Sequence, residues 1–294
     1  MKRTNEGEVV QQEEPQEQQE QQQGEEGDSN FPGTQTYKEK KKTAGKENNQ
    51  WTRFPVRVRA HCNPLSDDFF DYPKKPSDVN WKEMYPMMND MEKVEILDVG
   101  CAYGGLITSI APVLPQTYIL GVEIRKKVAE FTQLRISSLR EGKALKETQQ
   151  DKPKLESGHD FHNVWAMRSN AMKFLPNYFK KGQLKKIFFM FPDPHFKKKN
   201  HRRRIVSPCL IPEYSYLLEK GGFIYTITDV QELGEWMASS FEEEIVPQGY
   251  FERVSQEELD NDPIIPFIMN SSEDGQRTSE QKLNKHLAVF RKIK

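Results

Sequence analysis

The sequence predicts an α/β protein built on a doubly wound, mostly parallel sheet of seven strands that ends in an antiparallel pair. Three observations lead there. The apolar run Val94–Val99 (VEILDV) gives way to a glycine turn, GCAYGG, and then to an apolar helical stretch, LITSIAPVL. Glycine lets the backbone turn tightly and approach a ligand, and the helix that follows points its N-terminus there. Next, residues 117–122 (TYILGV) run into Glu123, 18 residues beyond Gly105. A carboxylate at that place can accept hydrogen bonds from both ribose hydroxyls of a nucleotide. Finally, four successive strand candidates carry glycine or polar residues at their C-terminal ends: Gly100, Glu123, Asn170 and Asp193. In an open parallel sheet the ligand crevice lies outside those ends.

The chain begins with a different texture. Residues 1–36 are rich in Gln and Glu and carry a net charge of −7, against −1 for the whole chain, which leaves +6 on the remainder. A segment so poor in apolar side chains cannot offset its ordering entropy, so disorder is expected. The lysine cluster at 37–46 (YKEKKKTAGK) suits a nuclear localisation signal, an RNA-gripping arm or a plain linker. These segments make residues 1–50 a tail and linker, and 51–294 the folded domain. From Trp51 the arginines Arg53, Arg57 and Arg59 alternate with Phe54, Val56 and Val58. That period of two puts Arg57 and Arg59 on one face, either to clamp phosphates or to face solvent on an edge strand. Residues 64–90, rich in Pro, Asp and aromatics, read as an ordered approach segment.

After the second strand, 125–139 reads as an amphipathic helix and 143–162 as a polar insert. Residues 164–167 form a third strand, followed by Arg168-Ser169-Asn170-Ala171. The Asn170 amide suits an adenine edge, and it also suits a helix N-cap; the roles are compatible. The fourth strand, 184–191, ends at Pro192-Asp193-Pro194 and a dense basic tract. Residues 209–219 read as a helix ended by Lys220-Gly221-Gly222. A fifth strand at 223–228 ends in Asp229, a helix covers 230–244, and 251–254 and 286–293 make the terminal antiparallel pair. The long connection between that pair carries Ser272-Glu273-Asp274, which is within reach of the crevice.

Composition narrows the function. The three cysteines, Cys62, Cys101 and Cys209, are isolated, so neither a zinc site nor a disulfide framework is expected and a reducing compartment is favoured. No apolar run approaches the ~18 residues of a membrane span, and the N-terminus lacks the apolar core of a secretory signal. The pattern Asp98-x-Gly100-x-Ala102-x-Gly104 is a poor cradle for the pyrophosphate of NAD. S-adenosylmethionine (SAM) has no phosphate and an amino-acid end, and fits better. Residues 180–204 hold ten Lys and Arg against the single acid Asp193. A carboxylate beside such a surface points to a site that faces a polyanion, with phosphates gripped in a salt-dependent way.

The segments DVGCAYGG, ILGVEIR, RSNAMKFLPNYF, FFMFPDPHFKKKNHRRRIVSP and GGFIYTITD, in that order, resemble the eukaryotic tRNA (guanine-N7)-methyltransferase catalytic subunit. The likeness spans about 51–294, and FPDPHFKKKNHRRR is its most specific part. It implies a Rossmann-like, SAM-dependent methyltransferase fold and transfer of a methyl group to N7 of a variable-loop guanosine, position 46, in tRNA. It places Gly100, Glu123, Ile124, Arg125, Asn170, Ala171 and Met190 around SAM and Asp193 at the catalytic aspartate. Ser272, Glu273 and Asp274 match a Thr-Glu-Glu that helps close the site. Arg57, Arg59, Lys197, Lys198, Lys199, Arg202, Arg203 and Arg204 become the candidate tRNA contacts. A WD-repeat β-propeller partner and a nuclear location are implied as well. Two departures stand out: Ala102 replaces a more usual glycine, and Ser272 and Asp274 replace Thr and Glu.

The chemistry at N7 assigns the carboxylate its task. Guanine N7 has an in-plane lone pair and no proton, so its attack on a methyl group needs no general base. Asp193 is therefore expected to orient the base and to favour its developing positive charge. His195 is expected to have a structural or RNA-contact role for the same reason. Rival readings are a SAM enzyme with another target, such as the mRNA cap guanine, and an inactive RNA-binding scaffold. The basic tract argues for RNA, and the retained Glu123, Asn170 and Asp193 argue for an active site.

Overall fold

Alternating apolar side chains build the centre of the molecule. In the computed structural model, which describes residues 62–66, 68–143, 151–281 and 283–294, strand β1 (Val94–Val99) is buried on both faces. Leu97 and Val99 join Leu120, Val122, Ile187 and Phe189 in the core on one side of the sheet. Ile96 joins Ile119, Phe188, Met190 and Tyr225 on the other. Burial on both faces is what a parallel sheet covered by helices requires.

The strands are β1, β2 (Tyr118–Glu123), β3 (Val164–Arg168), β4 (Leu184–Met190), β5 (Leu218–Thr228), β6 (Phe251–Arg253) and β7 (His286–Lys292), in the order β3-β2-β1-β4-β5-β7-β6. The first five run parallel. β7 is antiparallel to both of its neighbours. The chain builds β1, β2 and β3 outward in one direction and then returns to lay β4 against the other side of β1. That reversal opens a crevice at the C-terminal ends of β1 and β4.

The helices are α1 (Trp81–Met84), α2 (Gly105–Ile110), α3 (Lys126–Arg140), α4 (Asp151–Glu156), α5 (Ala171–Tyr178), α6 (Ile211–Leu217), α7 (Gln231–Glu242), α8 (Gln256–Asp260), α9 (Ile265–Asn270) and α10 (Glu273–Glu280). The approach segment is sewn onto α5. The Tyr72 and Phe174 rings stack at 4.1 Å, and the Asn177 amide donates to the Pro73 carbonyl at 3.0 Å.

Two expectations need correction. Lys220-Gly221-Gly222 does not end a helix; it lies inside β5, where the register against β4 shifts. Gly221 takes φ +82, and a Cβ on Gly222 would lie 2.9 Å from the Lys185 carbonyl, so glycine makes room for a bulge. The long connection before β7 is not open chain either: it folds into α8, α9 and α10. It is pinned to the sheet by Asp262, whose carboxylate accepts from the Tyr225 hydroxyl at 2.6 Å. Lys186 donates to the same hydroxyl at 2.7 Å.

Candidate active site

The glycine turn after β1 is fixed from beneath and from the side. The Gly100 and Cys101 amides donate to the Val122 carbonyl of β2 at 2.8 and 3.1 Å. Gly100, Ala102 and Gly104 all have positive φ, +79, +45 and +78. Ala102 thus holds a left-handed conformation that glycine adopts freely and alanine does not. The Thr132 hydroxyl donates to the Ala102 carbonyl at 2.6 Å, and Arg135 Nη1 donates to the Tyr103 carbonyl at 2.8 Å. Both side chains come from the inner face of α3. Arg135 also grips Asp151 of α4 at 2.9 Å, and both members of this pair are fully buried. Sequence reading missed Thr132 and Arg135; their i, i+3 spacing on an amphipathic helix was the one available signal.

At the end of β2 Glu123 is 2% exposed. Its Oε1 accepts from the Arg125 amide at 2.9 Å and from Arg125 Nε at 3.0 Å. Its Oε2 accepts from Arg125 Nη2 at 3.0 Å. Each carboxylate oxygen has two lone pairs; Oε1 uses both and Oε2 one, so Oε2 can accept one further hydroxyl donor. Burial opposes the Arg125 charge, yet the bonds and charge of Glu123, helped by Tyr103 and Asp193, raise its pKa on balance. Ile124 links the two residues.

Asn170 is also buried, and both ends of its amide are engaged. Its Oδ1 accepts from the Met172 amide at 3.0 Å, capping α5. Its Nδ2 donates to the Pro64 carbonyl at 2.6 Å. The expected N-cap is present, and one of the two Nδ2 hydrogens is held by the approach segment, which leaves the other for a ligand. Ala171 follows it, buried, at the start of α5.

β4 ends at the buried Met190. Phe191 then turns with φ +48, and its amide donates to the Ile227 carbonyl at 2.8 Å. His195 takes φ +46, so Pro192-Asp193-Pro194 is bracketed by two left-handed residues. Asp193 is half-buried. Its charge is felt by Arg125 from β2, by Cys62 from the approach segment and by Asp274 from α10. Cys62, Arg125 and Asp274 thus all lie within electrostatic reach of Asp193. Ser272 caps α10, its Oγ accepting from the Gly275 amide at 2.9 Å. A Cβ on Gly275 would stand 3.5 Å from the Phe191 ring, so the helix start abuts the Asp193 turn. Asp274 keeps a solvent-exposed face. Burial of the rest raises its pKa, with the negative charges of Asp229 and Asp193 adding to the shift and Arg277 and Arg125 opposing it. Glu273 starts the same helix. The Thr278 hydroxyl, which donates to the Asp274 carbonyl at 2.7 Å, lies 3.4 Å from the carboxylate of Asp229 at the polar end of β5.

The basic tract divides. Lys197 precedes a 3-10 segment, Lys198–Arg203. Lys197, Lys198, Lys199 and Arg202 are exposed and Arg203 is half-buried. Arg204 is 2% exposed and is not available as a surface contact. Its Nε donates to the Pro194 carbonyl at 2.9 Å, its Nη2 to Glu232 at 2.6 Å, and its guanidinium lies 4.8 Å from the centre of the Trp236 ring. The lysines at the start of β4 are likewise apart from the site, at the opposite end of the strand from Asp193. Lys185 pairs with Glu95 at 2.9 Å and Lys186 with Tyr225. Arg57 and Arg59 lie outside the described residues. Among the described residues no His, Cys, Asp and Glu cluster could hold a metal, and no helix is long and apolar enough to cross a membrane.

The family profile described as "Putative methyltransferase" matches residues 92–288, from the start of β1 into β7. The chain is 46% identical over 238 residues to a tRNA (guanine-N(7)-)-methyltransferase of Bombyx mori, covering 81% of this chain and 93% of that one. It is 43% identical over 269 residues to the mouse (Mus musculus) protein of the same name, covering 85% and 94%. It is 44% identical over 242 residues to that of Arabidopsis thaliana, covering 81% and 90%. The alignments cover nearly the whole length of these relatives, the family profile spans every strand that contributes to the crevice, and the chain belongs to the tRNA (guanine-N(7)-)-methyltransferase family.

Proposed function

We propose that this protein transfers a methyl group from SAM to N7 of a guanosine in tRNA, the variable-loop guanosine at position 46, with Asp193 as the residue that meets the base. The reading rests on one juxtaposition: Asp193 follows β4, the neighbour of β1, in a turn that abuts the start of α10, within electrostatic reach of Arg125 and Asp274, and it leads directly into the exposed Lys197–Lys199.

The crevice suits SAM. A Cβ on Gly100 would meet nothing within 4 Å, so the end of β1 is open to a ligand. Glu123 offers a carboxylate for ribose hydroxyls, with Ile124, Ala171 and Met190 as apolar neighbours at the strand ends. Asp193 and Asp229 both lie within electrostatic reach of Asp274. Acids without a phosphate cradle fit a cationic ligand with an amino-acid end. SAM supplies the methyl group on a positively charged sulfur. Asp193 accepts hydrogen bonds from guanine N1–H and N2–H, fixes the ring for in-line attack, and favours the positive charge that grows on the purine. Ser272, Glu273 and Asp274 close the crevice from α10. In an A-form helix N7 lies in a deep, narrow groove, so the guanine must come from a loop or be drawn out. Lys197, Lys198, Lys199, Arg202 and Arg203 hold the surrounding phosphates, and Arg57 and Arg59 are further candidate tRNA contacts.

The family resemblance adds a WD-repeat β-propeller subunit as partner and the nucleus as the place of work. The test is incubation with labelled SAM and bulk tRNA, with and without such a subunit, followed by mapping of N7-methylguanosine by borohydride and aniline cleavage. Label at a single variable-loop guanosine is expected. Absence of label in tRNA under both conditions overturns the reading.

A further inference from the structure

Ala102 sits in the turn at the end of β1, at φ +45. A non-glycine residue in that region is uncommon and persists only where its surroundings hold it. The surroundings here are one face of α3. Thr132, fully buried, turns its hydroxyl to the Ala102 carbonyl at 2.6 Å, closer than its own helix carbonyl at Val128, 3.0 Å. Its methyl group fills the other side of the turn: a Cβ on Gly104 would fall 2.6 Å from Thr132 Cγ2. Arg135 holds the next carbonyl, Tyr103, at 2.8 Å, and the Tyr103 ring meets Phe131 edge-on at 5.4 Å. Three consecutive features of the turn are thus each matched by a residue of α3. Arg135 is kept in place by Asp151, with both side chains buried.

We propose that Thr132 and Arg135 are positioning residues that hold the left-handed Ala102 turn in its cofactor-binding shape, so that α3 sets the affinity for SAM without touching it. The inference rests on SAM being the ligand of this crevice. It has a consequence that ordinary packing lacks. Glycine adopts positive φ at no steric cost, so a glycine at position 102 needs no clamp. Without the clamp, an alanine turn spends part of its time in other shapes, and apparent affinity falls with the competent fraction.

The experiment measures S-adenosylhomocysteine (SAH) binding by calorimetry to the full chain and to four variants: Thr132→Val, Thr132→Ser, Ala102→Gly, and Ala102→Gly combined with Thr132→Val. Thr132→Val keeps the methyl packing and removes the hydroxyl. It is expected to weaken SAH about tenfold in the Ala102 protein and no more than about twofold in the Ala102→Gly protein. Thr132→Ser restores near-normal binding. In tRNA turnover, Thr132→Val raises the KM for SAM and leaves kcat at saturating SAM unchanged. Equal weakening in both backgrounds, or no weakening in either, overturns the inference while SAH binding by the unaltered protein upholds the ligand. If the unaltered protein binds no SAH, the reading of the crevice falls and takes this inference with it. Circular dichroism melts of all variants separate lost affinity from lost folding, and Thr132→Ala, which also lacks the hydroxyl, supplies the outcome if Thr132→Val does not fold.

Discussion

The Nε of Arg204 donates to the carbonyl of Pro194 at 2.9 Å, so the last arginine of the basic tract braces the turn that carries Asp193. Glu232 and Trp236 of α7 hold the other side of the same guanidinium. Arg204 and Arg202, two positions apart, therefore have separable effects. Arg204→Ala removes a buried hydrogen bond of about 1–2 kcal/mol and should lower the melting temperature by about 2–8 °C. It should also reduce kcat, because Asp193 loses its support. Thermal melts beside steady-state kinetics test this.

Reversing charge at Lys198 and Arg202 should act on tRNA alone. Lys198→Glu combined with Arg202→Glu is expected to weaken tRNA binding about tenfold or more and to flatten its salt dependence. SAH affinity and melting temperature should stay unchanged. Filter binding across a salt series measures this, and a parallel loss of SAH binding would point to misfolding instead.

Asp193→Asn keeps the size of the side chain and loses its charge. If Asp193 orients guanine and stabilises its positive charge, single-turnover methylation at saturating tRNA should fall about 10²–10³-fold. SAH affinity should change little. A normal single-turnover rate would remove Asp193 from this role.

Asp274 gives a pH signature. Burial raises its folded-state pKa, so the folded protein binds this proton more readily than the unfolded chain. The stability it contributes is present below the ordinary carboxylate pKa, about 3.9, and is lost as pH rises through the raised value. Asp274→Asn has no proton to lose. Its melting temperature should exceed that of the unaltered protein at neutral pH, and the gap should close toward pH 4. SAM binding should weaken in the same variant, and binding of SAH, which lacks the sulfonium charge, should change less, since α10 then presents a neutral group to a cationic ligand.

Asn170 separates two jobs by substitution. Asn170→Asp keeps the cap on Met172 and loses the donor to Pro64. Asn170→Ala loses both. The alanine variant should be destabilised by about 0.5–2 kcal/mol through the cap, the aspartate variant by less. Both should show faster protease cleavage near residues 62–70. Denaturant melts and limited proteolysis read the two effects independently.

Much of the fold was legible because its signals are local. VEILDV and TYILGV are short apolar runs bounded by turn residues, and in a parallel sheet such runs are buried on both faces. The site residues Gly100, Glu123, Asn170 and Asp193 were legible because each stands where a strand ends. What escaped depends on distant partners. Arg204 is indistinguishable from Arg202 and Arg203 in the string RRR; only Glu232 and Trp236, about thirty residues on, bury it. Gly221-Gly222 signals a helix end as well as a bulge, and the register against β4 decides between them. The helices between β6 and β7 are five to eight residues long, too short to show periodicity, although Ser255 and Ser272 mark two of their starts.

The pairing of β1 with β4 has a kinetic consequence. Ile96 faces Lys186 across ninety residues of chain, whereas β1 reaches β2 within a few turns of polypeptide. Closing so long a loop carries a higher entropic cost and delays the contact. The crevice exists only once that closure is made, since its two walls are the ends of β1 and β4. A chain that has collapsed and formed its β1–β2–β3 half already has Gly100 and Glu123 in place, yet Asp193 has not arrived. During refolding, recovery of methyl transfer should therefore follow the slowest phase of sheet formation and lag behind the return of helix.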